Sequence, residues 1–188
     1  MFWLETDVNI LEYNRKQVNG PWLRLERYPP YVYAVKATAQ NLIAKSKNKI
    51  EWFLVKVGFT QREDDTARVK EIIAELGGEG EVLFQLKQSP LDTTIIRDVE
   101  ARFRKRLGFS VPKKKAKDLG LPVPTEWVMV SSGRLQIFGE EFKKYRDPTT
   151  LTLSGMPKIE GSDGFPQELT FGEVSISLDE VEGLLKKK

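Results

Sequence analysis

Two short apolar segments, residues 31–37 and 52–60, constrain the fold of this chain more than any other feature of its sequence. Both alternate in character and are rich in aromatic and β-branched residues, which predicts two β-strands. Side chains two residues apart lie on the same face of a strand. If the two strands pair antiparallel, Tyr33 and Lys56 can therefore meet on one surface of the sheet.

The following segments predict an alternation of helices and strands. Apolar residues at helical spacing predict helices over residues 64–76 and 92–107, and each helix ends at a glycine. Extended segments are predicted at residues 81–86 and 126–130, and a basic, proline-bounded connection occupies residues 112–124. The predicted fold class is α/β in the α+β sense: a small, mostly antiparallel β-sheet flanked by helices, with N- and C-terminal additions.

Three parts of the chain differ in their patterns. Residues 1–28 form an N-terminal arm, residues 29–132 carry the strands and helices described above, and residues 133–188 form a C-terminal accessory region. In the accessory region the pattern predicts helices and extended segments at residues 135–145, 149–153, 169–177 and 178–187.

Composition excludes several kinds of chemistry. The chain has no cysteine and no histidine, so disulfides, zinc fingers, Ser-His-Asp hydrolases, Cys-His proteases and histidine-based HNH-type nucleases are ruled out. Any hydrolysis must use Tyr, Lys, Arg and carboxylates, together with a hard metal ion bound through oxygen.

Charge and hydropathy indicate the kind of partner. Lys and Arg exceed Asp and Glu over residues 1–137, whereas residues 138–188 are acidic. A basic body favours a polyanion such as DNA. No apolar run is long enough to span a membrane and the first residues lack signal-peptide character, so we expect a cytoplasmic protein without a membrane partner.

Five motifs in order resemble the GIY-YIG nuclease superfamily. The first is Tyr31-Val32-Tyr33, and the second, Lys56-Val57-Gly58, begins with a lysine where many members have a tyrosine. The match continues with Arg68 on one predicted helix and Glu100 on the next. Thr125-Glu126-Trp127 resembles the Glu-Trp-Phe ending of one branch of the family.

The resemblance covers residues 29–132 and implies a metal-dependent DNA endonuclease. It implies that Tyr33 is the general base, that Lys56 tunes it, that Arg68 binds the scissile phosphate, and that Glu100 binds Mg²⁺ or Mn²⁺. A nearby ammonium and a metal are expected to lower the pKa of Tyr33 below its ordinary value of about 10. Restriction enzymes of this type tend to dimerise, so a homodimer is one expected arrangement.

Two positions depart from the family pattern. Tyr31 replaces the glycine of the first motif, and Arg104 replaces a histidine that often follows the glutamate by one turn. We interpret Arg104 as a phosphate contact. If the histidine were essential to proton transfer, an enzyme with Arg104 would be slow or inactive.

A basic cluster follows the predicted metal ligand and favours a nucleic-acid partner. Its members are Arg97, Arg102, Arg104, Lys105, Arg106, Lys113, Lys114, Lys115 and Lys117. The side chains predicted to contact nucleic acid are Tyr31, Arg97, Arg104, Lys113, Lys114 and Lys115.

Each candidate also has an ordinary structural interpretation. Tyr33 has the pattern of a core tyrosine, Glu100 and Arg104 have the spacing of a surface ion pair, and Arg68 has that of an exposed helix arginine. The alternative function is a non-catalytic nucleic-acid-binding module on the same fold. Such a module keeps the basic cluster but does not need Tyr33 or Glu100.

Overall fold

A six-stranded antiparallel sheet forms the centre of the protein and confirms the predicted α+β class. The computed structural model describes residues 31–60, 66–87, 93–144 and 164–185. Its strands are β1 Tyr31–Ala37, β2 Ile43–Lys45, β3 Glu51–Thr60, β4 Gly80–Lys87, β5 Phe109–Ser110 and β6 Trp127–Ser131. They run in the order β4-β1-β3-β6-β5, and β2 pairs with β3 beside this path.

Five helices and a C-terminal hairpin complete the described part of the chain. The helices are α1 Ala67–Glu75, α2 Thr93–Leu107, α3 Lys113–Asp118, α4 Ser132–Lys144 and α5 Leu178–Leu185. The hairpin consists of β7 Glu168–Phe171 and β8 Val174–Ser177.

The register between β1 and β3 decides which side chains share a face. Tyr33 lies opposite Gly58, and Val35 lies opposite Lys56. Because paired residues of antiparallel strands project from the same side of the sheet, Tyr33 and Lys56 share one face. The prediction from the alternating pattern is confirmed. We call this surface the tyrosine face.

Two structural layers cover the tyrosine face. Val69 and Ile72 of α1 pack against Tyr33 and Val35 over one part of it. Over the rest, a cluster around Trp52 includes residues of β5, α3 and β6 and apolar side chains from the C-terminal region. The C-terminal members are Phe165, Leu169, Phe171, Ile176 and Val181. Residues 164–185 therefore share a core with the sheet.

Helices α2 and α4 cover the opposite face. Phe103 of α2 and Phe138 of α4 pack with Phe84, and this aromatic group lies against the side chains of β1 and β3 that point away from Tyr33. Phe103 and Leu107 thus hold the second half of α2 against the sheet, which fixes the direction in which its neighbouring side chains project.

Most predicted elements fall within two or three residues of the observed ones. The connection over residues 112–124 differs, because it contains helix α3. Residues 169–177 form a hairpin in which Gly172 has φ +55°, a turn conformation that favours glycine. The arm over residues 1–28 and the extended segment over residues 149–153 lie outside the described residues.

Candidate active site

The side chain of Tyr33, a residue of β1, packs over Gly58 of the neighbouring strand β3. A Cβ atom added to Gly58 would lie 2.5 Å from the Tyr33 hydroxyl oxygen and 2.7 Å from its Cζ, well inside normal non-bonded contact. Gly58 lies within β3, and the Tyr33 phenol can approach the strand this closely only because Gly58 has no side chain.

Lys56 is buried on the same face, with 1% of its surface exposed. Its Nζ donates hydrogen bonds to the Thr125 carbonyl oxygen at 2.7 Å and to Glu126 Oε2 at 2.9 Å. Burial lowers the pKa of Lys56, and the hydrogen bond and charge of Glu126 oppose that change. A buried ammonium needs such partners, because without them the charge is strongly unfavourable.

Arg68 reaches the site from the first turn of α1. Its Nη1 donates to Glu71 Oε2 at 2.8 Å, and its guanidinium is also a hydrogen-bond partner of the Tyr33 hydroxyl. The pKa of Arg68 is raised, first by the Glu71 carboxylate. Glu71 therefore holds the permanently charged guanidinium of Arg68 beside the Tyr33 phenol.

Glu100 approaches from α2, on the other side of the sheet. Its side chain is buried, and Arg104 Nη1 lies 2.7 Å from its Oε1. The same Arg104 nitrogen lies 3.8 Å from Glu126 Oε1, so one guanidinium contacts both carboxylates. The Glu100 charge is close enough to act on Tyr33 and Lys56.

The start of β6 explains how groups from both sides of the sheet meet. Trp127, the first residue of β6, lies opposite Lys56, so β6 does not continue alongside β3 toward Gly58. The chain just before β6 carries Glu126, which bonds to Lys56 and contacts Arg104. The site therefore lies at the N-terminal end of β6, where this strand starts beside the middle of β3.

Burial dominates the acidity of Tyr33. Desolvation raises the pKa of this phenol, while the hydrogen bond and charge of Arg68 lower it. Without a metal the pKa of Tyr33 is raised, so the lowering predicted for the ammonium and a bound metal together stays a prediction. The Lys56 ammonium donates its hydrogen bonds to Thr125 and Glu126, and the negative charge of Glu126 offsets its positive charge.

The donors present fit a hard divalent cation. Among the described residues, no group of three or more His, Cys, Asp or Glu side chains could hold a metal ion. Glu100 supplies a buried carboxylate, whereas the two oxygens of Glu126 contact Lys56 and Arg104. One or two carboxylates are the donor set of Mg²⁺ when it keeps several waters and takes further oxygens from a phosphate.

The predicted nucleic-acid contacts divide into accessible and engaged side chains. Lys113 and Lys114 are exposed on α3. Lys115 instead donates to the Ser175 carbonyl oxygen at 2.6 Å and lies 3.3 Å from Glu180. Lys115 thus links α3 to the C-terminal hairpin and helix.

The other three predicted nucleic-acid contacts also differ in accessibility. Tyr31 is buried, with 8% of its surface exposed, so little of its ring can reach a nucleic acid. Arg104 is 28% exposed while it contacts the two carboxylates. The side chain of Arg97 lies outside the described residues.

Glu126 is the site residue that sequence reasoning missed. The Thr125-Glu126-Trp127 segment contributed only to the family resemblance, and no role was predicted for its carboxylate. Its backbone has φ +67°, an uncommon conformation for a residue with a side chain. The signal in the sequence is the position of Glu126 directly before a buried strand, at the point where a partner for Lys56 is needed.

Comparison with known proteins adds no relative. No protein-family model, no curated protein and no solved structure matches this chain. In the part of the chain that the structure describes, no helix is long and apolar enough to cross a membrane.

Proposed function

We propose that this protein is a divalent-metal-dependent endonuclease that hydrolyses phosphodiester bonds in DNA. The observation that carries the proposal is the convergence of Tyr33, Lys56, Arg68 and Glu100 from four separate elements. A buried lysine and a buried glutamate cost stability in a protein core, and perturbed ionisable groups of this kind concentrate at functional sites.

Each residue has a distinct role in the proposed reaction. Tyr33 accepts a proton from the attacking water, and Arg68 favours its phenolate form. Arg68 also presents a permanent positive charge to the scissile phosphate, and Lys56 adds a second positive charge on the same face. Glu100 would hold Mg²⁺ or Mn²⁺, which when bound neutralises phosphate charge and polarises the phosphorus–oxygen bonds.

The raised pKa of Tyr33 makes the proposed reaction dependent on pH. Burial keeps the phenol protonated at neutral pH, so the reactive phenolate is a minor species there. Its population increases with pH until Tyr33 is fully ionised. The cleavage rate of the wild-type protein should therefore rise from pH 7 toward pH 9, and this rise should be absent from the residual activity of Tyr33→Phe.

DNA is the proposed substrate because exposed cations are concentrated on two helices. Arg102 and Lys105 are exposed on α2, and Lys113, Lys114 and Lys117 are exposed on α3. A duplex presents closely spaced phosphates, and exposed cations bind them with release of counterions. These side chains supply affinity without base recognition, which the proposal leaves to other contacts.

The experiment that tests the proposal is nicking of supercoiled plasmid by the purified protein. Nicking should require Mg²⁺ or Mn²⁺ and should stop when EDTA is added. Glu100→Gln should abolish nicking and leave DNA affinity within about threefold, because the exposed cations remain. Glu75→Gln is the matched control, since this carboxylate is exposed at the end of α1 and lies outside the site. Full nicking in EDTA, or full nicking by Glu100→Gln, would refute the proposal.

One observation favours the second candidate, a nucleic-acid-binding module without catalysis. Arg104 already forms a close ion pair with Glu100, and a cation at this carboxylate would compete with it. A binding module would shift DNA in a gel at low salt but would leave plasmid intact at every metal concentration. The same preparation therefore distinguishes the two candidates.

A further inference from the structure

The position of Lys56 depends on one short segment of chain. With 1% of its surface exposed, the ammonium obtains its hydrogen bonds from the protein. The Thr125 carbonyl and the Glu126 carboxylate accept two of them, at 2.7 and 2.9 Å. An ammonium has three N–H donors. These two contacts engage two of the three donors and fix the position of the ammonium on the tyrosine face.

Glu126 is held in place by hydrogen bonds to two neighbouring residues of β3. Its carbonyl oxygen accepts a hydrogen bond from the backbone N–H of Val57, the residue after Lys56, at 3.1 Å. Its carboxylate reaches Lys56 itself. Its φ of +67° is unfavourable for a residue with a Cβ, and such conformations cluster at functional sites.

The two oxygens of the Glu126 carboxylate contact cations from different elements. Oε2 accepts from Lys56 of β3, and Oε1 lies 3.8 Å from Arg104 of α2. Arg104 in turn contacts Glu100, the proposed metal ligand. Glu126 therefore connects the lysine on the tyrosine face to the carboxylate that arrives from the other face.

We infer that Glu126 is a positioning residue of this site, which fixes the Lys56 ammonium on the tyrosine face so that its positive charge stabilises the phosphate in the transition state. Its position before β6 serves this purpose, because it can bond the backbone and the side chain of neighbouring β3 residues at once. The inference rests on the proposed function for its catalytic consequence. The control of Lys56 by Glu126 can be measured without any activity.

The first test measures Lys56 directly. In protein labelled with ¹⁵N-lysine, the Nζ signal of Lys56 is assigned by its loss in Lys56→Met and is then followed as a function of pH. The charged groups that act on this ammonium are Glu126, Arg68 and Glu100. Removal of the Glu126 charge removes the main opposition to burial, so Glu126→Gln should lower the pKa of Lys56 further. An unchanged titration would overturn the inference even in a protein that cleaves DNA.

A second variant guards against misfolding of the first. Glu126→Gly removes the carboxylate while it favours the left-handed backbone conformation, so the fold should be retained. It should lower the pKa of Lys56 in the same direction as Glu126→Gln. Glu75→Gln, a change of the same type on the surface, should leave the titration unchanged.

The second test is a double-mutant cycle on the cleavage rate. Glu126→Gln should lower kcat by about 10–100-fold with little change in KM, which is typical of a residue that orients a functional group. In a Lys56→Met background the same change should lower kcat less than threefold, because the group that it positions is gone. Equal losses in both backgrounds would overturn the inference. Absence of cleavage by the wild-type protein would refute the proposed function, while the titration still decides whether Glu126 controls Lys56.

Discussion

Replacement of Gly58 by alanine should destabilise the protein through a single contact with Tyr33. The new Cβ would lie 2.5 Å from the phenol oxygen and 2.7 Å from Cζ. Non-bonded carbon atoms settle at about 3.5–4.0 Å, so the overlap is on the order of 1 Å. Tyr33 is buried against Val69 and Ile72 and cannot swing away without disruption of that packing. Overpacking of this kind costs about 1–3 kcal/mol.

Urea unfolding of four proteins tests this reasoning. The free energy of unfolding is compared for wild type, Gly58→Ala, Tyr33→Leu and the double variant. Leucine lacks the ring atoms that would collide with the new methyl group, so Gly58→Ala should be neutral or stabilising by about 0.5 kcal/mol in the Tyr33→Leu background. The change in unfolding free energy caused by Gly58→Ala should therefore differ by more than about 1 kcal/mol between the wild-type and the Tyr33→Leu background.

A second glycine provides the control. Gly183 lies within α5, and a Cβ added there meets nothing within 4 Å. Gly183→Ala should therefore stabilise the protein by up to about 1 kcal/mol. The contact with Tyr33 does not explain the glycine if Gly58→Ala is as stable as the wild-type protein. The same holds if Gly58→Ala lowers the unfolding free energy equally in the Tyr33→Leu background.

Four further predictions concern charged groups. Replacement of the Lys56–Glu126 pair by Met and Gln should leave stability equal or up to about 2 kcal/mol higher in urea unfolding while it abolishes nicking. Because burial lowers the pKa of Lys56, wild-type stability should rise as pH approaches the ordinary value of 10.5, and the double variant should lose that rise. Neutralisation of Lys113 and Lys114 should weaken DNA binding and reduce the log–log salt slope by up to about 2 units, whereas neutralisation of two C-terminal lysines should change neither. Lys115→Met should instead lower the unfolding free energy by about 1 kcal/mol, since it loses its contacts with the C-terminal hairpin and helix.

The alternating pattern of the first strands predicts much of the site. Once β1 and β3 pair antiparallel, the pleat alone places Tyr33 and Lys56 on one face, and the structure confirms this. Helical spacing likewise predicts that Glu100 and Arg104 are neighbours. These contacts are local, or they follow from a single strand pairing, so a sequence pattern suffices for them.

Contacts made by irregular segments are not predictable in this way. Glu126 meets Lys56 because the chain before β6 passes the middle of β3, with a left-handed backbone that no pattern indicates. Lys115 lies in a basic run that reads as solvated surface, yet the hairpin at residues 168–177 packs beside it. Helix α3 was missed because it is short and only Ala116 is buried within it.

The rate of DNA cleavage by Tyr33→Phe tests whether Tyr33 is the general base of this site. Phenylalanine keeps the ring that packs over Gly58 and removes the hydroxyl that Arg68 contacts. In single-turnover cleavage with Mg²⁺, we expect the rate to fall by about 10²-fold or more, with DNA affinity and urea midpoint close to those of the wild-type protein. A wild-type rate in Tyr33→Phe would show that this tyrosine is a core residue and not the general base.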